Sequence, residues 1–371
     1  MTTDDQTILF SVEQSCGRIE INRPKALNAL SGAMCHDINQ QLMAWAEDST
    51  ISHIVISACE GKAFCAGGDV RALIPMLKQN HAHARAYFET EYQLDLIINT
   101  YPKPVVVFAN GLTMGGGAGV LMNAAVQIIT DRMDFAMPET AIGLFPDVAA
   151  SVFLRRAPLP IAAFLGITGW RIGAGDMKAL GILHPDTGLV VSSAERDAVL
   201  AALIGLDKTA LETLGLSAVK KALDNVVITP QDTPIFDARD WIIAHFSKPD
   251  LRAIRDGLDQ DDHPMAEACR HAIDTRAPLS MAVTHHLMTA PRFSGLSVPD
   301  ALSLDNTMAC RITLRPDFAE GVRALLIDKD NAPKWQPASI DDVTPEMLET
   351  IFTETDRIAL DYPQGYTPNH S

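Results

Sequence analysis

The sequence predicts an α/β fold: a core of alternating strands and helices over residues 1–190, followed by a helical C-terminal region over 191–371 that packs on it. Three observations carry this. Short β-rich runs alternate with helical ones through the first half of the chain, and the loops that follow the strands are rich in glycine. From about residue 190 the runs become amphipathic and helical, and no further convincing strand appears.

TILFSVEQ and GRIEIN, around Ser15-Cys16-Gly17, read as a hairpin. After Asn28, Met34, Ile38, Leu42 and Trp45 recur at spacings of 4, 4 and 3, which is one face of a helix. HIVISA (53–58) is a strand, and its following loop has glycines at 61, 67 and 68. Residues 83–100 read as a helix and PVVVFAN (104–110) as a buried strand. GLTMGGGAGVLMNAA (111–125) follows, with a helix opening where the glycines end, and AVQIIT (125–130) is a further strand. Beyond 190, AERDAVLAALIGL, SAVKKALDN, FDARDWIIAHF and PEMLETIFTET are helical, with a softer boundary at TPQDTP (229–234).

Composition narrows the function. With 47% hydrophobic residues the chain can bury a sizeable core. Its 30 basic against 46 acidic residues give a net charge of −16, which argues against nonspecific binding to nucleic acid or anionic membrane. MTTDDQTILF has acids where a leader peptide needs cations, and no run of about 18 apolar residues occurs, so the expectation is a soluble, cytoplasmic protein. The six cysteines form no C-x-x-C pair and read as free thiols, with no metal site.

Four stretches could carry chemistry: GKAFCAGGD (61–69), the glycine run, MPETAIGLFPDVAAS (137–151) and EGVRALLIDKDNAPKW (320–335). The glycine run lacks the Lys and Ser/Thr of a P-loop, and it stands too far along the chain, without an acidic partner, for a dinucleotide fingerprint. Two readings remain: the glycines let a helix pack tightly on the sheet, or they leave N–H groups open to a developing oxyanion. Glu139 and Asp147, each beside a proline, are turn residues or, in their apolar setting, desolvated carboxylates fit for base or nucleophile work. His285-His286 and His81/His83 are not at helical spacing and default to surface or satisfied core. No Ser occupies a G-x-S-x-G elbow.

NRPKALNAL, GKAFCAGGDV, TMGGGAGV and MPETAIGLFPD, in this order and spacing, resemble the crotonase (enoyl-CoA hydratase/isomerase) superfamily, and more narrowly its 3-hydroxyisobutyryl-CoA hydrolases. The resemblance is strong over 20–180 and returns at 318–335. It implies a spiral of ββα turns, and an acyl pocket whose oxyanion hole is the backbone N–H of Ala66 and Gly116. Many hydratases of the superfamily carry a second catalytic glutamate where this chain has Gly119, whereas Pro138-Glu139 is retained and Asp147 stands as in the hydrolases. The resemblance therefore implies an enzyme that cleaves a small β-hydroxyacyl-CoA thioester, as in valine breakdown, with Glu139 and Asp147 catalytic.

Glu91 in YFETEYQLD matches an acid lining the hydrolases' acyl pocket. Gly67, Gly68 and Asp69 would border the substrate, and Lys25 and Lys329, with Arg71 a weaker candidate, would meet the phosphates of coenzyme A. No cofactor is implied beyond the CoA of the substrate, and self-association, as trimers or otherwise, is expected. An enoyl-CoA hydratase or isomerase using Glu139 alone, and a non-catalytic binding subunit of the same fold, are the alternatives.

Overall fold

The computed structural model describes residues 6–79, 81–353, 355 and 358–368. The amino-terminal five residues, on which the leader reading partly rests, and the side chains of His81 and His83 lie outside what is described. The chain opens with β1 (Ile8–Glu13) and β2 (Cys16–Ile21), the expected hairpin, and then α1 (Gly32–Glu47), which Ser31 caps by accepting from the Met34 N–H. Met34, Ile38, Leu42 and Trp45 are its buried face, so the 3.6-residue period dictates how it packs.

Three turns of one spiral follow. β3 (His53–Ala58) leads to β4 (Ala63–Cys65), α2 (Val70–Gln79) and α3 (His81–Asn99). β5 (Val105–Ala109) leads to β6 (Leu112–Met114) and α4 (Gly116–Met122). β7 (Val126–Thr130) leads to β8 (Asp134–Ala136) and a 3₁₀ turn, Glu139–Ile142. The first strand of each turn joins a six-stranded sheet ordered β1-β2-β3-β5-β7-β9, where β9 is Gly188–Val191, and the second joins a three-stranded sheet, β4-β6-β8. All pairs except β1–β2 are parallel. The ββα spiral implied by the resemblance is therefore present.

Parallel strands must be covered on both faces, and VVVFA and VQIIT are buried throughout. The helices after 190 divide this task at the TPQDTP stretch. Those at Arg196–Ile204, Lys208–Leu214 and Ser217–Leu223 seal one face of the large sheet against Val55, Val106, Phe108, Ile128 and Val191. Those from Pro234 onward join the main core on the other side. β9 itself runs across residue 190, so the change to helices comes one residue past the last strand. All six cysteines are free. His285 is buried with Nε2 against the Lys248 carbonyl, and His286 packs edge-on to Phe293 and Phe352.

Candidate active site

The spiral brings the ends of β4, β6 and β8 side by side, and the loops leaving them enclose a cavity of about 250 Å³. Its wall includes Ala66, Gly67, Gly68, Glu91, Gly116, Glu139 and Asp147, so seven residues singled out from distant stretches of sequence meet at one place. The helical region closes it through Leu325 and Leu326.

The backbone donors differ from the expected pair. The Ala66 N–H donates to the Leu27 carbonyl at 3.0 Å and is unavailable to a substrate oxygen. Two residues on, Gly68 lies in an isolated parallel bridge to Leu30, in which the neighbouring Gly67 carbonyl and Asp69 N–H take the hydrogen bonds. The Gly68 N–H has no acceptor among the described residues, and neither does that of Gly116. The two positions are adjacent: a Cβ built on Gly116 would stand 3.5 Å from the Gly68 nitrogen. The free pair is thus Gly68 and Gly116, and Ala66 contributes wall only.

Asp69 is also placed differently from the expectation. It forms an ion pair with Arg23 at 2.8 Å, which fastens this loop to the segment before α1, and it lies outside the cavity wall. Lys25, Arg71 and Lys329 are exposed and likewise outside the wall.

Five carboxylates share the buried interior around the cavity: Glu91, Asp95, Glu139, Asp147 and Asp305. Burial is the leading cause in raising every one of their pKa values, and repulsion from a neighbouring carboxylate adds to it at all but Asp147. Glu91 rises to about 8 and Asp147 only to about 6, because the Tyr92 hydroxyl donates to its Oδ2 at 2.6 Å and favours the ionised form. Glu139 rises well above the usual range through burial and Asp147, while Arg276 opposes the shift. Its Oε2 is buried without a partner. A carboxyl group held this way ionises only at the cost of facing another negative charge, which makes it a strong base once it does.

Glu91, Tyr92 and Asp95 come from one face of α3, and Phe88 from the same face lines the cavity. The i, i+3, i+4, i+7 spacing in FETEYQLD is a legible signal for this face, of which the family resemblance singles out only Glu91. Asp305 had no such signal. It reaches across from the helix Val298–Ile312 to accept the Ala149 N–H at 2.8 Å, holding the left-handed corner Val148-Ala149 just after Asp147.

Raised carboxyl pKa values link stability to pH. The folded state keeps Glu91 protonated up to about pH 8, whereas the unfolded chain releases that proton near 4.5, so stability falls as pH rises between those values. Glu91→Gln removes the penalty and should raise thermal stability at pH 8 relative to wild type, by an amount on the order of a few kcal/mol at most, with little gain at pH 4.5. Equal gains at both pH values in thermal unfolding would contradict the assignment.

The family model described as enoyl-CoA hydratase/isomerase matches residues 16–352. The chain belongs to the enoyl-CoA hydratase/isomerase family. Among its relatives, the mitochondrial 3-hydroxyisobutyryl-CoA hydrolase of Gallus gallus is 35% identical over 93% of this chain and 88% of its own. That of Homo sapiens is 34% identical over 94% and 88%. Among solved structures, an enoyl-CoA hydratase from Rhodobacter sphaeroides superposes with a TM-score of 0.86 at 32% identity, covering 96% of this chain and all of its own. A carnitinyl-CoA dehydratase from Mycobacterium thermoresistibile gives 0.85 at 31%, covering 97% and all of its own. The relatives' names place them in mitochondria, which lends no support to a cytoplasmic location here. Among the described residues no helix is long and apolar enough to cross a membrane.

Within the enoyl-CoA hydratase/isomerase family, Gly119 is the informative position. A Cβ there would lie 2.6 Å from Asp95 Oδ2 and 2.8 Å from Val148 Cβ. The volume a glutamate side chain would enter is filled by a carboxylate from α3 and by the corner that follows Asp147. Replacing that glycine by glutamate would require both to move.

Proposed function

We propose that this protein is a thioester hydrolase acting on 3-hydroxyisobutyryl-CoA, releasing 3-hydroxyisobutyrate and coenzyme A, a step of valine breakdown. The observation that carries the reading is the convergence of Glu139 and Asp147 on a small cavity beside two uncommitted backbone N–H groups, with no room for a second glutamate at 119.

In this reading the N–H groups of Gly68 and Gly116 hold the thioester oxygen as it gains charge; one such donor is typically worth about 3 kcal/mol of barrier. Glu139, ionised, either attacks the carbonyl to form a mixed anhydride that water then cleaves, or takes a proton from the attacking water. Asp147, fixed by Tyr92 and by the Asp305-braced corner, accepts a hydrogen bond from the substrate hydroxyl or the water and helps move the proton. Protonated Glu91 supplies a neutral donor beside both glycines: its Oε1 is 2.2 Å from where a Gly116 Cβ would be and 3.0 Å from that of Gly68. The cavity's 250 Å³ suits a short branched acyl group. Lys25, Lys329 and Arg71 are the proposed contacts for the phosphates of coenzyme A, which is the only cofactor-like group required. Homo-oligomerisation is part of the proposal.

A second reading, hydration of an enoyl-CoA by Glu139 alone, is favoured by the names of the superposed structures. Turnover of a series decides how the acyl group is recognised. Rates of thiol release should fall in the order 3-hydroxyisobutyryl-CoA, 3-hydroxypropionyl-CoA, isobutyryl-CoA, and an isobutyryl-CoA rate equal to the first would remove the hydroxyl contact assigned to Asp147.

A further inference from the structure

Back to back with the active cavity lies a larger one of about 610 Å³. The partition between them is two short elements, the turn Glu139–Ile142 and the π-helix Arg323–Ile327. Glu139 and Ile142 face the active cavity, Ala141 faces the other, and Leu325 borders both.

The wall of this second cavity has a composition at odds with the rest of the molecule. In a chain of net charge −16 it carries Arg171, Arg276 and His271 and no carboxylate. The remainder is largely apolar, Trp170, Leu325 and several alanines among it. Arg171 is already committed to Asp134. Arg276 is not committed to an acid: its Nη1 donates to the Pro138 carbonyl at 3.3 Å and to Thr140 Oγ1 at 3.0 Å, and among the described residues no carboxylate pairs with it and its Nε and Nη2 have no partner. Burial pulls its pKa down to about 10, opposed only by the charge of the nearby Glu139, the direction expected of a guanidinium that has lost water without a carboxylate paired to it. Two adjacent N–H donors of one guanidinium are the shape of a bidentate carboxylate site.

We propose that this cavity binds a small organic carboxylate on the free edge of Arg276, with its apolar body against Trp170 and the alanines, and that its occupation slows the reaction in the active cavity. The link is physical. Arg276 grips the turn that begins at Glu139 and is the cation that opposes the rise in that group's pKa. An anion on its outer edge cancels that charge and makes ionised Glu139 harder to reach. The kinetic half of this inference rests on the function proposed above, in which Glu139 reacts ionised, whereas the binding half does not. The proposed reaction releases an acid of this class, so the same site would give feedback by product.

Calorimetric titration with sodium isobutyrate tests the binding half. One equivalent should bind wild type and Glu139→Gln alike, and at least about tenfold more weakly in Arg276→Met, the scale of a lost charge-assisted hydrogen bond. Ala268→Trp, which fills the cavity from an exposed position on the helix Pro264–Thr275, should also lose binding while keeping full turnover, so the test survives if Arg276→Met folds poorly. In kinetics, saturating isobutyrate should lower kcat about fivefold or more with KM unchanged, and Ala268→Trp should be insensitive. Inorganic phosphate should bind more weakly, since it has no apolar body to bury. No heat with isobutyrate, binding untouched by both variants, phosphate binding as tightly as isobutyrate, or inhibition purely competitive with the acyl-CoA would each overturn the proposal. Should the protein fail to cleave the acyl-CoA at all, the calorimetric result still stands on its own.

Discussion

Glu139→Gln is expected to lower kcat for thioester cleavage by roughly 10²–10⁴-fold, the range ascribed to a positioned acid–base group. Glutamine fills the same volume and keeps a polar tip, so the cavity is preserved while the group that must ionise is gone. Folding should not suffer. The folded state holds this carboxyl group protonated well above its ordinary pKa, through burial and the nearby Asp147, so a neutral amide removes an unfavourable ionisation that grows as pH rises. Thermal unfolding at pH 8 should therefore show an unchanged or higher Tm alongside the kinetic loss. In wild type the same shifts predict that kcat rises with pH, through about pH 6 where Asp147 titrates and beyond it as Glu139 ionises. A loss of only a few-fold in the variant would remove Glu139 from its role.

Gly116→Val should lower turnover by roughly 10²–10³-fold, the scale of one lost oxyanion donor. The new Cβ would stand 2.2 Å from Glu91 Oε1, so the glutamate must swing away, and the branched methyl groups would stand over the N–H of Gly68 as well as that of Gly116 itself. Because the atom displaced is the tip of a side chain and not backbone, the fold should persist, and circular dichroism should be unchanged. Full activity would move the oxyanion hole elsewhere. The neighbouring substitution Gly68→Ala, whose Cβ would meet the Tyr87 hydroxyl at 2.4 Å, should be similarly damaging if the hole is the Gly68–Gly116 pair.

That pair shows where reading the sequence succeeded and where it stopped. The strands, the hairpin and α1 follow from period and turn chemistry, because each is decided by residues within a few positions of one another. Glu139, Asp147, Gly116 and Glu91 were legible as motifs and do meet at one cavity. The choice between Ala66 and Gly68 was not legible, since it turns on which N–H the Leu27 carbonyl takes, a contact made nearly forty residues away along the chain. Asp69 was misplaced for a similar reason: its carboxylate is taken by Arg23. Asp305 and Arg276, which brace Asp147's corner and Glu139's turn, come from helices more than 130 residues downstream, and nothing in their local sequence sets them apart. The resemblance marks Gly119 as the place of an absent glutamate, and what fills that place, the carboxylate of Asp95, needed the fold.

The most direct measurement is to follow free thiol and enoyl absorbance together while the protein is incubated separately with 3-hydroxyisobutyryl-CoA and with crotonyl-CoA. A hydrolase built on Glu139, Asp147 and the Gly68–Gly116 pair releases thiol from the first and leaves the absorbance of the second in place. Loss of the crotonyl absorbance without thiol release from either substrate would contradict the account and make the protein a hydratase.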